Sequence, residues 1–356
     1  MDTYASSLGR IKAMVSGFLK KDLYSSLLAA RDVQEVAKLL EGTWYGAEIT
    51  QAMGAAQGAE ALEVAVNRQF VKLNRFAYNA SPFAGRPVVG AYLRRWDIEN
   101  IGVILSAKAY GRLVSEGESF LVSDREVPAG LSAGLLSIDD LRILLAQSSV
   151  EAVANQLVKF GYGSVLLQRL DAFNDSRDIF PLIQALERQY YEQLLSMARF
   201  FQGDEWVVRQ FLAAEIDVRN LLVVLKAKDH KMSSEDLAPL LFDGGTFAAK
   251  ALLDLANLAS VQEVVGSVGT SLPLADGLPM YNESGSLTGF ELALRRHQSE
   301  KNLVRMRQYP LSLAGIFGFL LQADVERSDL RKIVYGKVYG WSGERIAKDL
   351  VSTRLA

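Results

Sequence analysis

The stretch Trp96-Asp97-Ile98-Glu99-Asn100-Ile101-Gly102-Val103-Ile104-Leu105-Ser106-Ala107-Lys108 returns 120 residues later. There it reads Ile216-Asp217-Val218-Arg219-Asn220-Leu221-Leu222-Val223-Val224-Leu225-Lys226-Ala227-Lys228, identical at six of thirteen positions. A degenerate third copy lies 109 residues further on, with Glu326, Asp329, Leu330, Ile333 and Lys337 in the places of Asp217, Asn220, Leu221, Val224 and Lys228. Apolar residues spaced by three and four make each copy a helix. At 3.6 residues per turn, Asp97, Asn100, Ile101, Ile104 and Lys108 share about 100° of arc. Polar groups therefore sit on the stripe that should be buried.

Working outward, a second pattern recurs in the same order: Asp32-Val33-Gln34-Glu35-Val36, Ser149-Val150-Glu151-Ala152-Val153 and Ser260-Val261-Gln262-Glu263-Val264. A third echo, Ala61-Leu62-Glu63, Ala185-Leu186-Glu187 and Phe290-Glu291-Leu292, precedes each long helix. A fixed-period self-match is the mark of a repeated structural unit. The chain of 356 residues divides into three helical repeats, 1–112, 113–231 and 232–356. Helical spacing covers 59–79, 87–110, 181–202, 205–230, 288–308 and 310–339, with Pro87, Pro181 and Pro310 suited to first turns. Gly111 and Gly340 fall where helix C-termini take glycine. Gly and Pro between 266 and 286 mark a mobile loop, and no alternating strand pattern is present, so the fold class is all-α.

Composition removes several chemistries. There is no cysteine and there are two histidines, His230 and His297, which excludes disulfides, thiolate metal sites, cysteine nucleophiles and multi-histidine metal centres. A formal charge of −2 gives no general pull toward nucleic acid or anionic lipid. The most apolar run, Leu313 to Leu321, is nine residues long, against roughly 20 for a membrane-spanning helix, and reads as a buried helix. The opening Met1-Asp2-Thr3-Tyr4 has no secretory pattern. The expected location is the cytoplasm.

The repeated polar set, Asp97, Asn100, Lys108, Asp217, Asn220, Lys228, Glu326, Asp329 and Lys337, admits two readings. One is a ligand site in each repeat; the favoured one is tethering between helices, since buried polar groups are hydrogen-bonded and a position repeated three times is architectural. Asp97 and Lys108 lie about 16 Å apart along the axis and cannot pair with each other. Neither histidine has a catalytic partner at a recognisable spacing. No cofactor and no small-molecule substrate is indicated. Glu215 and Asp217, the best acid–base pair, point about 200° apart on a helix and do not converge. The basic stretch with Arg295, Arg296, Lys301, Arg305 and Arg307 is a solvated face or the contact for an acidic partner, and it lacks the aromatics of a nucleic-acid platform.

Other residues carry a family resemblance. Tyr4-Ala5 with Gly9-Arg10-Ile11-Lys12-Ala13-Met14 and Phe18-Leu19 resembles the N-terminus of the C subunit of the vacuolar/archaeal-type (V-type/A-type) ATPases and ATP synthases, a family whose eukaryotic member is the d subunit. Leu40-Glu41-Gly42-Thr43-Trp44-Tyr45 is similar to a further stretch of that family. The copies at 97–108 and 215–228 resemble its two internal motifs, and Glu326 to Leu330 with Gly336-Lys337 and Ser342-Gly343-Glu344-Arg345-Ile346 resembles its closing one. The resemblance spans essentially the whole chain. It implies three similar helical domains in a pseudo-threefold funnel, and a non-catalytic central-stalk rotor part. Such a part seats the foot of the central shaft and rests on the membrane's proteolipid ring, while nucleotide chemistry belongs to a separate head. The implied place is the cytoplasmic face, attached peripherally through the complex. The competing expectation is a free-standing α-helical scaffold that binds soluble proteins.

Overall fold

The computed structural model describes residues 3–54, 57–111, 123–124, 127–128, 136–199, 203–269 and 272–352. The fold is all-α. Among the described residues the strand content is one antiparallel two-residue ladder, Ser123–Asp124 against Val127–Pro128. The chain forms two compact units. Of the described residues, the first takes those up to Met197 and those from Gly315 onward, and the second runs from Ala198 to Ala314.

The first unit opens with α1 (Thr3–Val15), α2 (Lys21–Ala29), α3 (Val33–Leu40), α4 (Gly46–Met53), α5 (Gly58–Ala80), α6 (Arg86–Leu93) and α7 (Arg95–Ala109). It continues with α8 (Ile138–Ala146), α9 (Val150–Leu157), α10 (Gly163–Leu167), α11 (Leu170–Ser176) and α12 (Phe180–Ala198). The second unit holds α13 (Trp206–Asp229), α14 (Ser234–Leu237), α15 (Ala249–Ala256), α16 (Val261–Val268), α17 (Leu278–Ser284) and α18 (Thr288–Arg307). The chain then returns to the first unit with α19 (Leu313–Val338) and α20 (Gly343–Asp349).

The recurring short pattern is a helix start. Asp32 accepts a hydrogen bond from the Glu35 amide at 2.9 Å, Ser149 from Ala152 at 3.1 Å and Ser260 from Glu263 at 3.2 Å. Each side chain satisfies an amide that the first turn leaves without a carbonyl partner, a contribution of about 1 kcal/mol. The valines that follow are buried: Val36 in α3, Val153 in α9, Val264 in α16.

Two apolar cores follow. In the first unit Tyr24, Leu27, Val36, Leu40, Ile49, Leu62 and Val66 pack with Leu330, Ile333, Val334, Ile346 and Leu350, so the opening helices share one core with the last two. In the second, Leu221, Val224, Leu225, Leu237, Val264, Leu274, Phe290 and Leu294 are fully buried together. Each such side chain contributes roughly 1.5–3 kcal/mol by leaving water. In the run Leu313–Leu321, which opens α19, every residue except the half-buried Gly315 and Gly318 is buried, as its apolarity requires.

Three expectations shift. The 87–110 helix is two, because the chain turns at Arg94 between α6 and α7. Pro310 precedes α19 by three residues and sits in the turn before it. The 266–286 stretch is helical over most of its described length: α16 runs to Val268, a 3₁₀ turn covers Leu274–Gly277 and α17 follows. Pro279 lies in the first turn of α17, where its missing N–H costs nothing.

Candidate functional site

The repeated polar residues form three stations, each lying within a single unit. On α13, in the second unit, Asp217 and Asn220 are buried. Asp217 accepts the amides of Thr246 (2.7 Å) and Phe247 (3.2 Å) and the Thr246 hydroxyl. Asn220 meets Phe242 in both directions, its amide donating to the carbonyl and its oxygen accepting the N–H, each at 2.8 Å. Gly245 makes this approach possible: a Cβ there would lie 2.3 Å from the Asp217 carboxylate. One helix face thus anchors an irregular segment by supplying the partners its backbone lacks.

The α19 station lies in the first unit. Glu326 accepts the Leu19 amide at 2.7 Å and the Tyr45 hydroxyl at 2.8 Å. Asp329 accepts the Ser352 amide at 2.7 Å and the Val351 amide at 3.1 Å, with the Lys332 ammonium at 3.4 Å. Burial pushes the Glu326 carboxyl up to about 7 and drives the Tyr45 and Tyr24 phenols well above their ordinary range. On α7, also in the first unit, Asp97 is fully buried and accepts the Tyr162 hydroxyl at 2.8 Å, while Asn100 donates to the Trp96 carbonyl at 2.6 Å. Burial, with the Asp97 charge second, raises the Tyr162 phenol.

The lysines complete the pattern. Lys108 donates to the Leu145 carbonyl, Lys228 to Ala256 (3.1 Å) and Lys337 to Leu28 (2.6 Å). Each acceptor lies four residues before a helix cap, Ser149, Ser260 and Asp32 respectively. A lysine near the end of one long helix therefore closes the end of the short helix α8, α15 or α2. Burial lowers the affinity of Lys108 and Lys337 for their protons. For α7 and α13 the short helix follows in sequence. For α19 it is the start of the chain.

The helix ends match too. Gly111 and Gly340 are left-handed, with φ of 64° and 66°, and the corresponding residue on α13, Lys231, adopts φ 55° without being glycine. Partner groups were less visible in the sequence. Tyr45-Gly46 and Tyr162-Gly163 recur at 117 residues, the spacing of Asp32 and Ser149, and both tyrosines meet a station carboxylate. Arg327 is a further buried polar residue. It donates to Asn67 at 2.8 Å, its guanidinium lies over the Phe70 and Trp96 rings at 5.0 and 5.2 Å, and burial depresses its proton affinity.

The basic stretch on α18 is tied within the second unit. Arg296 pairs with Asp276 at 2.9 Å, Arg305 donates to Gln210, and Arg295 pairs with Glu291 one turn earlier at 2.7 Å while 64% exposed. His230 ends α13, exposed, and His297 is half-buried, its proton affinity lowered by burial and then by Lys301. Among the described residues, no group of three or more His, Cys, Asp or Glu is placed to hold a metal ion. Nor is any helix among them long and apolar enough to cross a membrane.

An all-helical chain with buried polar stations repeated along its long helices belongs to the class of helical repeat proteins. Residues 8–349 match the family described as ATP synthase (C/AC39) subunit, and the chain belongs to that family. It is 33% identical to the C subunit of the A-type ATP synthase of Thermoplasma volcanium over 97% of each chain, and 32% identical to that of Thermoplasma acidophilum over 99% of each. The corresponding Methanocaldococcus jannaschii protein is 26% identical over 98% of this chain and 86% of its own.

Proposed function

We propose that this chain is a non-catalytic central-stalk component of a V/A-type rotary ATPase or ATP synthase. In this role it joins the shaft of the nucleotide-handling head to the proteolipid ring that moves protons or sodium ions, held at the membrane's cytoplasmic face by the assembled complex. The observation that carries this reading is the family match along residues 8–349, with relatives named as the C subunit of A-type ATP synthases over nearly their full length. The three repeats, expected at 1–112, 113–231 and 232–356, would form similar domains around a funnel.

The stations suit such a part. A coupling element passes torque only if its helices resist sliding past one another. Close-packed interiors transmit strain, and buried carboxylates on backbone amides fix one register, because a slip leaves charges and amides unpaired at a cost of about 1–3 kcal/mol each. In this reading Asp97, Asn100, Lys108, Asp217, Asn220, Lys228, Glu326, Asp329 and Lys337 are tethers, and Arg295, Arg296 and Arg305 face an acidic partner. Arg295 is the most accessible probe of that face: it is 64% exposed and its one-turn pair with Glu291 lies on the same helix, whereas Arg296 and Arg305 reach Asp276 and Gln210 on other segments.

The test is recovery of the tagged chain from membranes solubilised in mild detergent. Co-purification of a nucleotide-hydrolysing head and a small apolar ring protein is the expected result. Recovery of the chain alone, or with soluble partners only, overturns the reading. Assembly that keeps its strength and salt sensitivity in Arg295→Glu removes the basic face from it.

A further inference from the structure

The two buried carboxylates of α19 stand one helical turn apart and are unequally supplied with donors. Asp329 takes two backbone amides and the Lys332 ammonium. Glu326 takes one amide, from Leu19, and faces neutral side-chain donors, the Tyr45 hydroxyl and the Trp44 indole. The groups facing it are the Tyr24 and Tyr45 phenols, the Trp44 indole and the Asp329 carboxylate, and none of them is a cation. Arg327, its neighbour in sequence, is turned to Asn67, Phe70 and Trp96. Two buried carboxylates on one helix face, with a cation on Asp329 and none on Glu326, favour one ionised and one protonated group.

We propose that Glu326 is the proton-binding member of the pair, and that the join between the opening helices and α19 is a proton-operated latch, tighter when Glu326 is protonated. The geometry concentrates the effect at one place, because Leu19 and Tyr45 lie 307 and 281 residues from Glu326 and both belong to the opening segment. Burial holds the carboxyl near 7, above its unfolded value of 4.5. Between those values the closed chain binds a proton that the open chain does not. The latch is therefore strongest below the window and weakens as pH rises through 7. From pH 6 to pH 8 the closing equilibrium falls about tenfold.

The experiment is amide hydrogen exchange on the full-length chain at pH 6 and pH 8, corrected for the intrinsic pH dependence. Protection of Leu19 and of α2 is expected to drop about tenfold at pH 8, with no comparable change around Phe242 and Thr246. Glu326→Gln, fixed in the neutral form, is expected to lose the difference. An unchanged difference in that variant, or none in the parent, overturns the latch. If Glu326→Gln does not fold, carbon-detected NMR of the parent labelled at glutamate carboxyls decides. A buried glutamate titrating near pH 7 supports the latch, and ionisation of all glutamates by pH 5 overturns it.

Discussion

The α13 and α19 stations use the same side-chain plan and differ in what completes them. On α13 the partners, Phe242, Thr246, Phe247 and Ala256, all lie within 30 residues of the station residue they meet. On α19 the same plan draws Leu19, Leu28 and Tyr45 across some 300 residues, with Lys332, Val351 and Ser352 supplied locally. The local version takes these partners from its own segment. The distant version ties the beginning of the chain to its end, and the apolar core around Leu330 and Ile333 depends on both. A repeated motif thus specifies the docking surface of a helix without specifying which part of the chain docks there.

The most severe way to break this comparison is to remove residues 1–45. Leu330, Ile333 and Val334 would then lose Tyr24, Leu27, Val36 and Leu40 from their core while keeping Ile49, Leu62 and Val66, and α19 beyond Gly315 and α20 are expected to lose exchange protection. Phe242 and Thr246 are expected to keep theirs. Loss of both at once would show that the α13 station depends on the opening helices.

Next come Asp329→Ala and Asp217→Ala. The first leaves the buried Val351 amide without an acceptor and is expected to cost about 3 kcal/mol in chemical denaturation, and the second strips the partly buried amides of Thr246 and Phe247 at an expected cost of about 1–2 kcal/mol. They should differ in where exchange rises, at Val351 and Ser352 for the first and at Thr246 and Phe247 for the second. Lys228→Met and Lys337→Met each remove one hydrogen bond to a helix-end carbonyl, with an expected cost of about 1 kcal/mol. The smallest effect concerns the helix ends. Lys231→Gly relieves a left-handed residue and is expected to stabilise by roughly 0.5–1 kcal/mol, whereas Gly340→Lys is expected to destabilise by a similar amount.

Much of this was legible in the sequence. The Asp/Asn/Lys spacing marked the polar stripe because helical geometry puts those residues among Ile101, Leu221 and Leu330. The recurrence of Asp32, Ser149 and Ser260 was visible, and the structure shows that each caps a helix, the role their side chains suit. The partners were not. Lys337 bonds the carbonyl of Leu28 and Asn220 the backbone of Phe242, and a backbone group leaves no trace in residue identity. Nor was the helix at Leu278–Ser284, because Gly and Pro at 277, 279 and 285 read as loop although they flank and start the helix. The wrap of α2 onto α19 was hidden for another reason: a repeat pattern has no preferred starting point, and a chain can open partway through the unit it will complete.

That wrap gives the protein an order of assembly in time. A ribosome adds roughly 5–20 residues per second. The 281 residues from Tyr45 to Glu326 therefore take roughly 15–60 s to make. Throughout that interval Tyr24, Leu27, Val36 and Ile49 exist without the helix that will cover part of their surface. The second unit can finish while the first still waits for α19 and α20, so the newborn chain carries an exposed apolar face until those helices have been made. Shielding that face during translation is a demand that the finished molecule no longer displays.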